Sequence, residues 1–422
     1  MKVGVISLGC AKNLVDTEVL LGKLKASGVK LVSNPKKADL IIINTCGFIE
    51  PAKREAIETI LEFADKKKVI VMGCLVQRYK EELQKEIPEV MAYFGTESWD
   101  KVVSFLGLKP AEGRRLLTTP KSYAYLKISE GCNRLCSFCA IPLIRGKHRS
   151  KPIKELLEEA RYLAEEGVKE LCIVSQDTAY YGRDLYGRGY LIKLLKELER
   201  IEGIRWVRLL YLYPTELEEE LIDYIASSEK VLPYFDMPLQ HISNRILKSM
   251  RRGHDEAFAR ALIEKIRKKI PHAVLRTTFI VGYPEETEED FERLKNFIEE
   301  EHFHWVGVFT YSPEEGTHAY TLGDPVPQEE KERRKDELRA IQEAITIKKN
   351  EQFIGKELEL VVDGFDEEFG FVPVGRIYAQ APEVDGMTYI ESQRELKAGE
   401  FIKVKITQVG GYDLGAVEEI KD

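Results

Sequence analysis

The amino-acid sequence predicts an α/β protein in three parts: an N-terminal parallel α/β domain, a central partial (β/α)6 barrel and a small C-terminal antiparallel β-barrel. Two observations predict this division. Short apolar runs alternate with segments of helical spacing up to residue 107 and, in a longer series, over residues 123–310. From residue 354 onward the apolar residues alternate in twos, as in antiparallel strands. A chain of 422 residues is long enough for domains that each bury a core.

The first domain is predicted to span residues 1–110. Its apolar runs at residues 2–8, 38–44 and 68–72 are separated by helical segments, which is the pattern of a parallel sheet covered by helices. Each run is followed by a cysteine, and these are Cys10, Cys46 and Cys74. The carboxyl ends of parallel strands form one edge, so the three sulfurs are expected to lie together there. Taken singly, each cysteine is more simply explained as a small core residue.

The central domain is predicted to span residues 118–325 and to contain six strands that alternate with helices. The strands are predicted at residues 123–128, 170–175, 205–212, 234–237, 273–281 and 305–310. In a parallel barrel of this kind the active site lies at the carboxyl ends of the strands. A loop with three cysteines follows the first strand, so it is expected at that face.

The cysteines of this loop are Cys132, Cys136 and Cys139, spaced C-x3-C-x2-C. One short loop that presents three thiolates suits an iron–sulfur cube in which one iron lacks a protein ligand. Zinc is the alternative, with His148 as its candidate fourth ligand. The remaining cysteine, Cys172, lies in the middle of a predicted strand and is interpreted as a core residue.

A charged segment at residues 326–353 is interpreted as a connecting helix, and residues 354–422 form the third domain. Small barrels of this type often bind nucleic acid. This one has seven basic and fifteen acidic residues, a balance of −8 that equals the net charge of the whole chain. A predicted turn carries four of the acidic residues: Asp363, Asp366, Glu367 and Glu368. Such a surface would attract a basic protein and repel RNA, although a solvated face is the simpler explanation.

Membrane association is not predicted by the sequence. No apolar run approaches the ~20 residues that a membrane helix requires, and the start of the chain does not resemble a signal peptide. The seven cysteines are an odd number, so a disulfide framework is not expected. We expect a monomer in a reducing cytoplasm.

The loop from Cys132 to Cys139, with the aromatic Phe138 before its last cysteine, resembles the signature of radical S-adenosylmethionine (SAM) enzymes. The resemblance implies a [4Fe–4S] cluster whose open iron binds the amino and carboxylate groups of SAM. It implies that an electron from the cluster cleaves SAM to a 5′-deoxyadenosyl radical, while the protein excludes water and positions one substrate hydrogen. The predicted partial barrel is the fold that this resemblance requires.

The three parts together resemble the methylthiotransferases of this superfamily, over essentially the whole chain. The resemblance implies that Cys10, Cys46 and Cys74 hold a second [4Fe–4S] cluster, which carries the sulfur to be inserted. One SAM is expected to supply the methyl group, and another the radical that removes hydrogen from the substrate. Neither the external sulfur donor nor the electron donor is implied.

Three segments imply the substrate. Residues 7–16 (Ser-Leu-Gly-Cys-Ala-Lys-Asn-Leu-Val-Asp), 139–147 and 236–241 resemble members that modify a ribosomal protein rather than tRNA. The implied reaction is methylthiolation at the β-carbon of an aspartate in small-subunit ribosomal protein twelve. The alternative is a tRNA adenosine methylthiotransferase. A third hypothesis is a non-catalytic iron–sulfur or zinc protein that binds RNA or the ribosome.

Several residues that follow barrel strands resemble SAM-binding positions. Gln176 is expected either at the amino end of SAM or as a cap of the next turn, and Gln240 is expected at SAM or the substrate. Arg276 is expected either to bind the SAM carboxylate or to pair with a barrel carboxylate. The turn at Gly282 is expected beside the adenosyl group, and Tyr311 beside adenine. A basic group is a candidate for orienting SAM or the acidic substrate, with surface charge as the alternative: Arg145, Lys147, His148 and Arg149.

Overall fold

The structure is a computed structural model that describes residues 1–419 and divides into two compact units. The first unit comprises residues 1–118, 130–149 and 312–321, and the second comprises residues 119–129, 150–311 and the chain from residue 322. Six of the seven cysteines belong to the first unit, and Cys172 belongs to the second. Over the described residues, the helices lack the combination of length and apolar character needed to cross a bilayer.

A five-stranded parallel sheet forms the centre of the first unit, in the order β2-β1-β3-β4-β5. Its strands are β1 (Lys2–Ser7), β2 (Lys30–Leu31), β3 (Leu40–Thr45), β4 (Lys68–Gly73) and β5 (Ala92–Phe94). The helices of this unit are α1 (Ala11–Ala26), α2 (Glu50–Ala64), α3 (Cys74–Glu86), α4 (Trp99–Phe105) and α5 (Ile141–Arg145). The sequence pattern predicts β1, β3 and β4. It misses β2 and β5 because strands of two and three residues are too short to show a period.

Helices cover both faces of this sheet, which explains why β3 and β4 are almost continuously apolar. Alternate residues of a strand point to opposite faces. Accordingly, Ile41 packs in the cluster that includes residues of α2 and α3, whereas Ile42 packs in the cluster that includes residues of α1 and α4. The two buried cores fix the sheet and therefore the positions of the loops at its carboxyl edge.

Six parallel strands of the second unit form a partial (β/α)6 barrel, which confirms the predicted fold. Two three-stranded sheets, β6-β9-β10 and β11-β12-β13, are connected by a bridge between Val207 and Val231. The strands are β6 (Tyr123–Lys127), β9 (Glu170–Val174), β10 (Trp206–Leu209), β11 (Tyr234–Asp236), β12 (Val274–Val281) and β13 (Trp305–Thr310). Two short strands, β7 (Ser129–Glu130) and β8 (Arg149–Ser150), precede and follow the cysteine loop in the chain.

Helices alternate with these strands along the chain. They are α6 (Ile153–Glu165), α7 (Tyr190–Glu199), α8 (Glu219–Ser227), α9 (Asn244–Ser249), α10 (Glu256–Lys269), α11 (Glu288–Glu301) and α12 (Gln328–Glu351). Local chemistry marks the start of α11, because Thr287 and Asp290 form a reciprocal capping box.

The C-terminal strands close a five-stranded barrel in the order β14-β15-β16-β18-β17. They are β14 (Glu357–Asp366), β15 (Val372–Ile377), β16 (Thr388–Glu391), β17 (Phe401–Gly410) and β18 (Asp413–Glu418). Four of the five pairings are antiparallel, and the pair β16–β18 is parallel. The predicted small barrel is confirmed. The parallel pair differs from the prediction because alternation of apolar residues does not encode strand direction.

Within the second unit, the C-terminal barrel and its loops contact the amino ends of the central strands. The contacts involve the first residue of four strands: Tyr123 with Glu383 (2.8 Å), Glu170 with Arg376 (2.6 Å), Tyr234 with Asp385, and Trp305 Nε1 with the Ala379 carbonyl (2.8 Å). The C-terminal domain therefore lies at the face opposite the carboxyl ends of the strands, where parallel barrels place their chemistry.

Candidate functional site

Three cysteines follow three neighbouring strands of the first unit. Cys10 is the residue before α1, Cys46 directly follows β3, and Cys74 is the first residue of α3. Negative charge on Cys10 and Cys46 would raise the pKa of Cys74, which is a consequence of their proximity. The structure thus brings together three sulfurs that are far apart in the chain. Two of them lie at helix N-termini, where the helix dipole stabilises a thiolate.

Glycine residues allow these cysteine loops to approach closely. A Cβ at Gly9 would lie 2.6 Å from the Cβ of Cys46, and Gly9 has a φ of +90°. A Cβ at Gly47 would lie 2.6 Å from the Cα of Leu75, the residue after Cys74. Any larger residue at either position would force the loops apart.

Asn13 connects two of the cysteine loops. Its Nδ2 donates to the Leu8 carbonyl at 2.6 Å, and longer contacts of 3.4 Å reach the carbonyls of Asn44 and Thr45. The carbonyl acceptors precede Cys10 and Cys46 respectively. Asn13 lies in the segment at residues 7–16 that carries the family resemblance, and its contacts give that segment a structural role.

Burial raises the pKa of Cys74 to about 12, because a thiolate is poorly solvated there, while the neighbouring Arg145 opposes the effect. Burial also raises the pKa of Cys46, and a backbone N–H of Phe48 opposes it. Both thiols would be protonated in the free protein. Binding of a metal would therefore release protons from this site.

The second set of cysteines lies in the loop before α5. Gly131, with a φ of +77°, begins the loop, and a Cβ there would lie 2.2 Å from the Lys147 carbonyl oxygen. The Cys132 N–H donates to the Gly146 carbonyl at 3.1 Å, so the two ends of the segment are closed on each other. The Arg134 N–H donates to Cys132 Sγ at 3.3 Å, an interaction that favours the thiolate.

A site for one metal ion is not formed by the described residues. Zinc needs ligands at about 2.0–2.3 Å, and residues 1–419 contain no group of three or more His, Cys, Asp or Glu side chains that could hold an ion. His148, the candidate zinc ligand, is buried, and its backbone N–H donates to Asn133 Oδ1 at 3.0 Å.

The two sets of cysteines meet through a small apolar contact inside the first unit. Cys74 packs with Ala140, the residue after Cys139, and with Ile144 of α5. Arg145, at the end of α5, is buried and pairs with Asp16 at 2.6 Å. Arg145 is therefore not a surface charge, and its guanidinium already has a carboxylate partner. Arg149 is 61% exposed at its side chain and pairs with Glu97, as the surface-charge alternative describes.

At the carboxyl ends of the barrel strands, Gln240 has the most distinctive geometry. Its φ of +74° is unusual for a residue with a side chain. The backbone is fixed by two hydrogen bonds of 2.8 Å, one to the Thr278 carbonyl and one from the Ile280 N–H. Its Oε1 is buried and lacks a hydrogen-bond partner within residues 1–419. An acceptor in this state fits a ligand that brings a donor, such as an amino group.

The glycine turn after β12 is held by a buried ion network. The Gly282 N–H donates to Glu286 Oε1 at 2.8 Å, and φ at Gly282 is +74°. Glu286 also contacts His241 at 2.8 Å and Arg334 at 2.6 Å. A Cβ at Gly282 would lie 2.3 Å from Cγ of Lys331. Helix α12, interpreted from sequence as a connector, therefore supports this turn through Lys331 and Arg334.

Tyr311 is buried one residue after β13, and its ring centroid is 5.5 Å from that of Tyr283. Lys331 Nζ donates to the Tyr311 carbonyl at 3.2 Å. Sequence reasoning missed Lys331 and Arg334. A signal was present, because positions 331, 334, 338 and 345 follow helical spacing and form one buried face of α12.

Arg276 lies near the amino end of β12. Its guanidinium contacts Asp236 Oδ1 at 3.2 Å and Asp385 Oδ1 at 3.4 Å. Gly282 is six positions after Arg276, a distance of about 20 Å along an extended strand. Of the two expectations for Arg276, the pairing with a barrel carboxylate describes the structure. Gln176, the other residue expected at SAM, lies two residues after β9, at the carboxyl edge of the barrel strands.

Family comparisons agree with this arrangement. A profile described as "Uncharacterized protein family UPF0004" matches residues 2–95, "Radical SAM superfamily" matches residues 126–298, and "TRAM domain" matches residues 354–417. A solved radical SAM methyltransferase, TsrM from Kitasatospora setae, has a TM-score of 0.56 over 86% of this chain and 79% of its own, at 13% identity. The fold and the cysteine loop define a radical SAM enzyme, which uses a [4Fe–4S] cluster and SAM.

Full-length relatives define the family more narrowly. Proteins named "Ribosomal protein uS12 methylthiotransferase RimO" are 69% identical in Aquifex aeolicus (98% of this chain, 96% of the relative) and 53% identical in Sulfurihydrogenibium sp. (98% of both). A third, from Acetivibrio thermocellus, is 45% identical over 98% of this chain and 97% of the relative. The chain belongs to the RimO family of radical SAM methylthiotransferases, and it is therefore a transferase.

Proposed function

We propose that this enzyme inserts a methylthio group at the β-carbon of an aspartate in small-subunit ribosomal protein uS12. The observation that carries the proposal is the presence of two sets of three cysteines in one compact unit of a radical SAM methylthiotransferase. The names of the full-length relatives support the substrate. The reaction belongs in the reducing cytoplasm, where these thiols stay available for iron.

Two [4Fe–4S] clusters are proposed, one for each set of cysteines. When bound, they supply the electron that cleaves SAM and the sulfur that is transferred. Cys132, Cys136 and Cys139 hold the first, with the Arg134 N–H supporting the Cys132 thiolate. Phe138 of this loop is half-buried and is assigned to cofactor binding.

Cys10, Cys46 and Cys74 hold the second cluster, at the carboxyl edge of the parallel sheet. The fit rests on the donor set and on its surroundings. Cys74 begins α3 and receives an N–H from Arg145 at 3.2 Å, and both interactions reduce the cost of burying a negatively charged sulfur that a metal would impose. Close packing at Gly9 and Gly47 keeps the three loops together.

The SAM contacts are assigned to the carboxyl edge of the barrel. Gln240 accepts a hydrogen bond from the SAM amino group or from the substrate through its unpartnered Oε1. Gln176 acts at the amino end of SAM, Gly282 lets the backbone approach the adenosyl group, and Tyr311 borders adenine. Arg276 is assigned to the barrel instead, because Asp236 and Asp385 occupy its guanidinium.

The composition of the hairpin between β14 and β15 favours a protein rather than an RNA as the substrate. Asp366 orders this turn: its Oδ1 accepts N–H groups of Glu368 and Phe369, and its Oδ2 accepts the Tyr389 hydroxyl. Phe369 and Phe371 are each 66% exposed. Exposed rings beside carboxylates suit the lysine and arginine side chains of a basic protein and repel RNA phosphates.

The decisive experiment offers both substrates at once. Anaerobically reconstituted enzyme is incubated with SAM, sulfide and reductant in the presence of uS12 and tRNA, and the products are analysed by mass spectrometry. We expect a gain of one CH2S unit on the aspartate of uS12, and no gain on uS12 in which that aspartate is replaced by alanine. A gain on tRNA alone would replace this substrate with the tRNA adenosine alternative.

A second experiment tests the hairpin. The double substitution Glu367→Lys, Glu368→Lys should raise KM for uS12 and weaken its salt dependence, because a steering charge is reversed. The matched control is Glu58→Lys, Glu62→Lys, which reverses two exposed charges on α2. An equal rise in KM for uS12 in both variants would show that the net charge of the protein, rather than the position of the hairpin, determines this effect.

The SAM assignments are tested by Gly282→Ala and Gln240→Ala. The added methyl group collides with Lys331, so Gly282→Ala should weaken binding of SAM, measured by calorimetry on the iron-loaded protein. Gln240→Ala removes one acceptor and should weaken binding less. Unchanged affinity in both variants would remove these residues from the proposed site.

A further inference from the structure

Arg145 makes four side-chain hydrogen bonds beside the cysteines of the first unit. Its Nη1 donates to Asp16 Oδ2 at 2.6 Å and to Glu130 Oε2 at 3.1 Å. Its Nη2 donates to Asn13 Oδ1 and to Cys74 Sγ, both at 3.2 Å. The side chain is only 2% exposed. One guanidinium therefore joins two carboxylates, the amide of Asn13 and a thiol.

The carboxylates account for the burial of the charge but not for the contact with sulfur. A buried guanidinium requires compensation, and Asp16 and Glu130 provide it through Nη1. The Nη2 group is turned to the opposite edge of the fork, towards Asn13 and Cys74. The rigid fork of arginine can make both sets of contacts at once, whereas the single ammonium of lysine cannot.

The position of Arg145 in the chain connects it with the other set of cysteines. It ends α5, the short helix that begins two residues after Cys139. The same helix packs Ile144 against Cys74. Asp16 and Asn13 lie in α1, which begins directly after Cys10. The guanidinium is thus held by segments that adjoin both cysteine sets.

We propose that Arg145 is a positioning residue for the second cluster: its N–H group on Cys74 raises the reduction potential of that cluster and slows the loss of its iron. This inference rests on the proposed function, because it requires a cluster at Cys10, Cys46 and Cys74. A donor and a positive charge next to a thiolate ligand stabilise the more negative, reduced state of an iron–sulfur cluster. They also orient the ligand towards the metal.

The test isolates the second cluster in the full-length chain. Cys132, Cys136 and Cys139 are all changed to alanine, so that iron can bind only at the other three cysteines. Arg145, Arg145→Gln and Arg145→Lys are compared in this background. The measurements are iron per chain, the rate of iron loss to a chelator, and the reduction potential followed by electron paramagnetic resonance during a mediated dithionite titration.

Arg145→Gln should shift the potential to a more negative value and accelerate iron loss several-fold. Arg145→Lys keeps the charge opposite Asp16 and Glu130 but loses the fork, so it should show a smaller shift in the same direction. If Arg145→Gln does not fold, as judged by circular dichroism, Arg145→Lys carries the comparison. The control is Arg115→Gln, which removes another buried arginine of the first unit, paired with Glu18 at 3.0 Å.

The possible results separate the role of Arg145 from the existence of the second cluster. Potentials and iron-loss rates equal to those of the parent in the Arg145 variants would overturn the inference, and so would an equal shift in Arg115→Gln. Absence of iron from the triple-alanine parent would instead overturn the second cluster of the proposed function. A shift confined to the Arg145 variants would support the positioning role.

Discussion

Two buried cysteines of this protein lie beside ion networks whose central charges have opposite signs. In the first unit, one cation, Arg145, lies between the carboxylates of Asp16 and Glu130, and it donates to Cys74 at 3.2 Å. In the second unit, one anion, Glu170, lies between two arginines that it contacts at 2.6 Å, Arg208 and Arg376. There the thiol is Cys172, and it donates to Glu170 at 3.7 Å.

The direction of the hydrogen bond distinguishes these two sulfurs, whereas burial does not. Burial raises the pKa of both thiols. Cys74 accepts an N–H and begins a helix, and these two interactions partly offset the effect of burial on its thiolate, as the proposed role of a metal ligand requires. Cys172 donates its proton to a carboxylate in the middle of a strand, so it remains a thiol and fills the core.

The largest expected effect separates the two cysteines directly. Cys74→Ala should lower the iron content from about eight to about four per chain and abolish the methylthio product, because one ligand of the proposed second cluster is lost. Formation of 5′-deoxyadenosine should persist. Cys172→Ala should retain full iron content and product, measured by iron analysis and mass spectrometry. Loss of iron in Cys172→Ala would break the distinction.

The second prediction concerns the anion of the Cys172 network. Glu170→Gln leaves Arg208 and Arg376 without their shared buried partner, so it should lower the free energy of unfolding by about 3–5 kcal/mol. Urea unfolding of the metal-free protein provides the measurement. The control Glu359→Gln removes the partner of Arg205 at an exposed site, with a cost of about 1 kcal/mol or less. A similar small cost for both would mean that the network does not stabilise the fold.

A third prediction follows from the pKa of Glu170. Burial alone would raise this pKa, but the charges of Arg208 and Arg376 outweigh it and lower the pKa below the ordinary value of 4.5. Glu170 therefore contributes stability above about pH 4.5, and this contribution is lost as the pH falls through the folded-state pKa. The difference in unfolding free energy between wild type and Glu170→Gln should narrow in acid. Unfolding curves from pH 7 to pH 3 test this, and a constant difference would contradict it.

The smallest effect is expected for a change of Arg149, which lies four residues after Arg145 in the chain. Arg149→Gln removes an ion pair with Glu97 in which the side chains are 61% and 32% exposed. Exposed pairs contribute about 0.2–1 kcal/mol, so thermal unfolding should change little and iron content not at all. A loss of iron in this variant would extend the cation requirement beyond Arg145 and weaken the comparison.

Much of the architecture was readable from local patterns. Apolar runs with helical segments between them predicted β1, β3 and β4, and a cysteine followed each run. The three sulfurs were expected to lie together because the carboxyl ends of neighbouring parallel strands share an edge. The six barrel strands were predicted in the same way. The short strands β2 and β5 and the parallel pair β16–β18 were not, because pairing partners and directions depend on contacts across the sheet rather than on the period of one segment.

The charged residues were the least predictable part of the site. Arg276 was a candidate for SAM, yet it pairs with Asp236 and with Asp385, 109 positions away in the chain. Lys331 and Arg334 were not singled out within the predicted connecting helix, yet they are buried against the turn at Gly282. The partner of a long polar side chain is selected by the folded geometry, which no local pattern contains.

The sequence by itself determined the three-part fold and the two sets of three cysteines, because spacing and periodicity are properties of neighbouring residues, and its motifs carried the family resemblance. Only the tertiary structure decided which sulfur accepts a hydrogen bond and which one donates. It placed Arg145 against Cys74, 71 positions away, and turned Cys172 to Glu170. Burial makes such pairings necessary, because charges removed from water must be compensated by whichever groups the fold brings within reach.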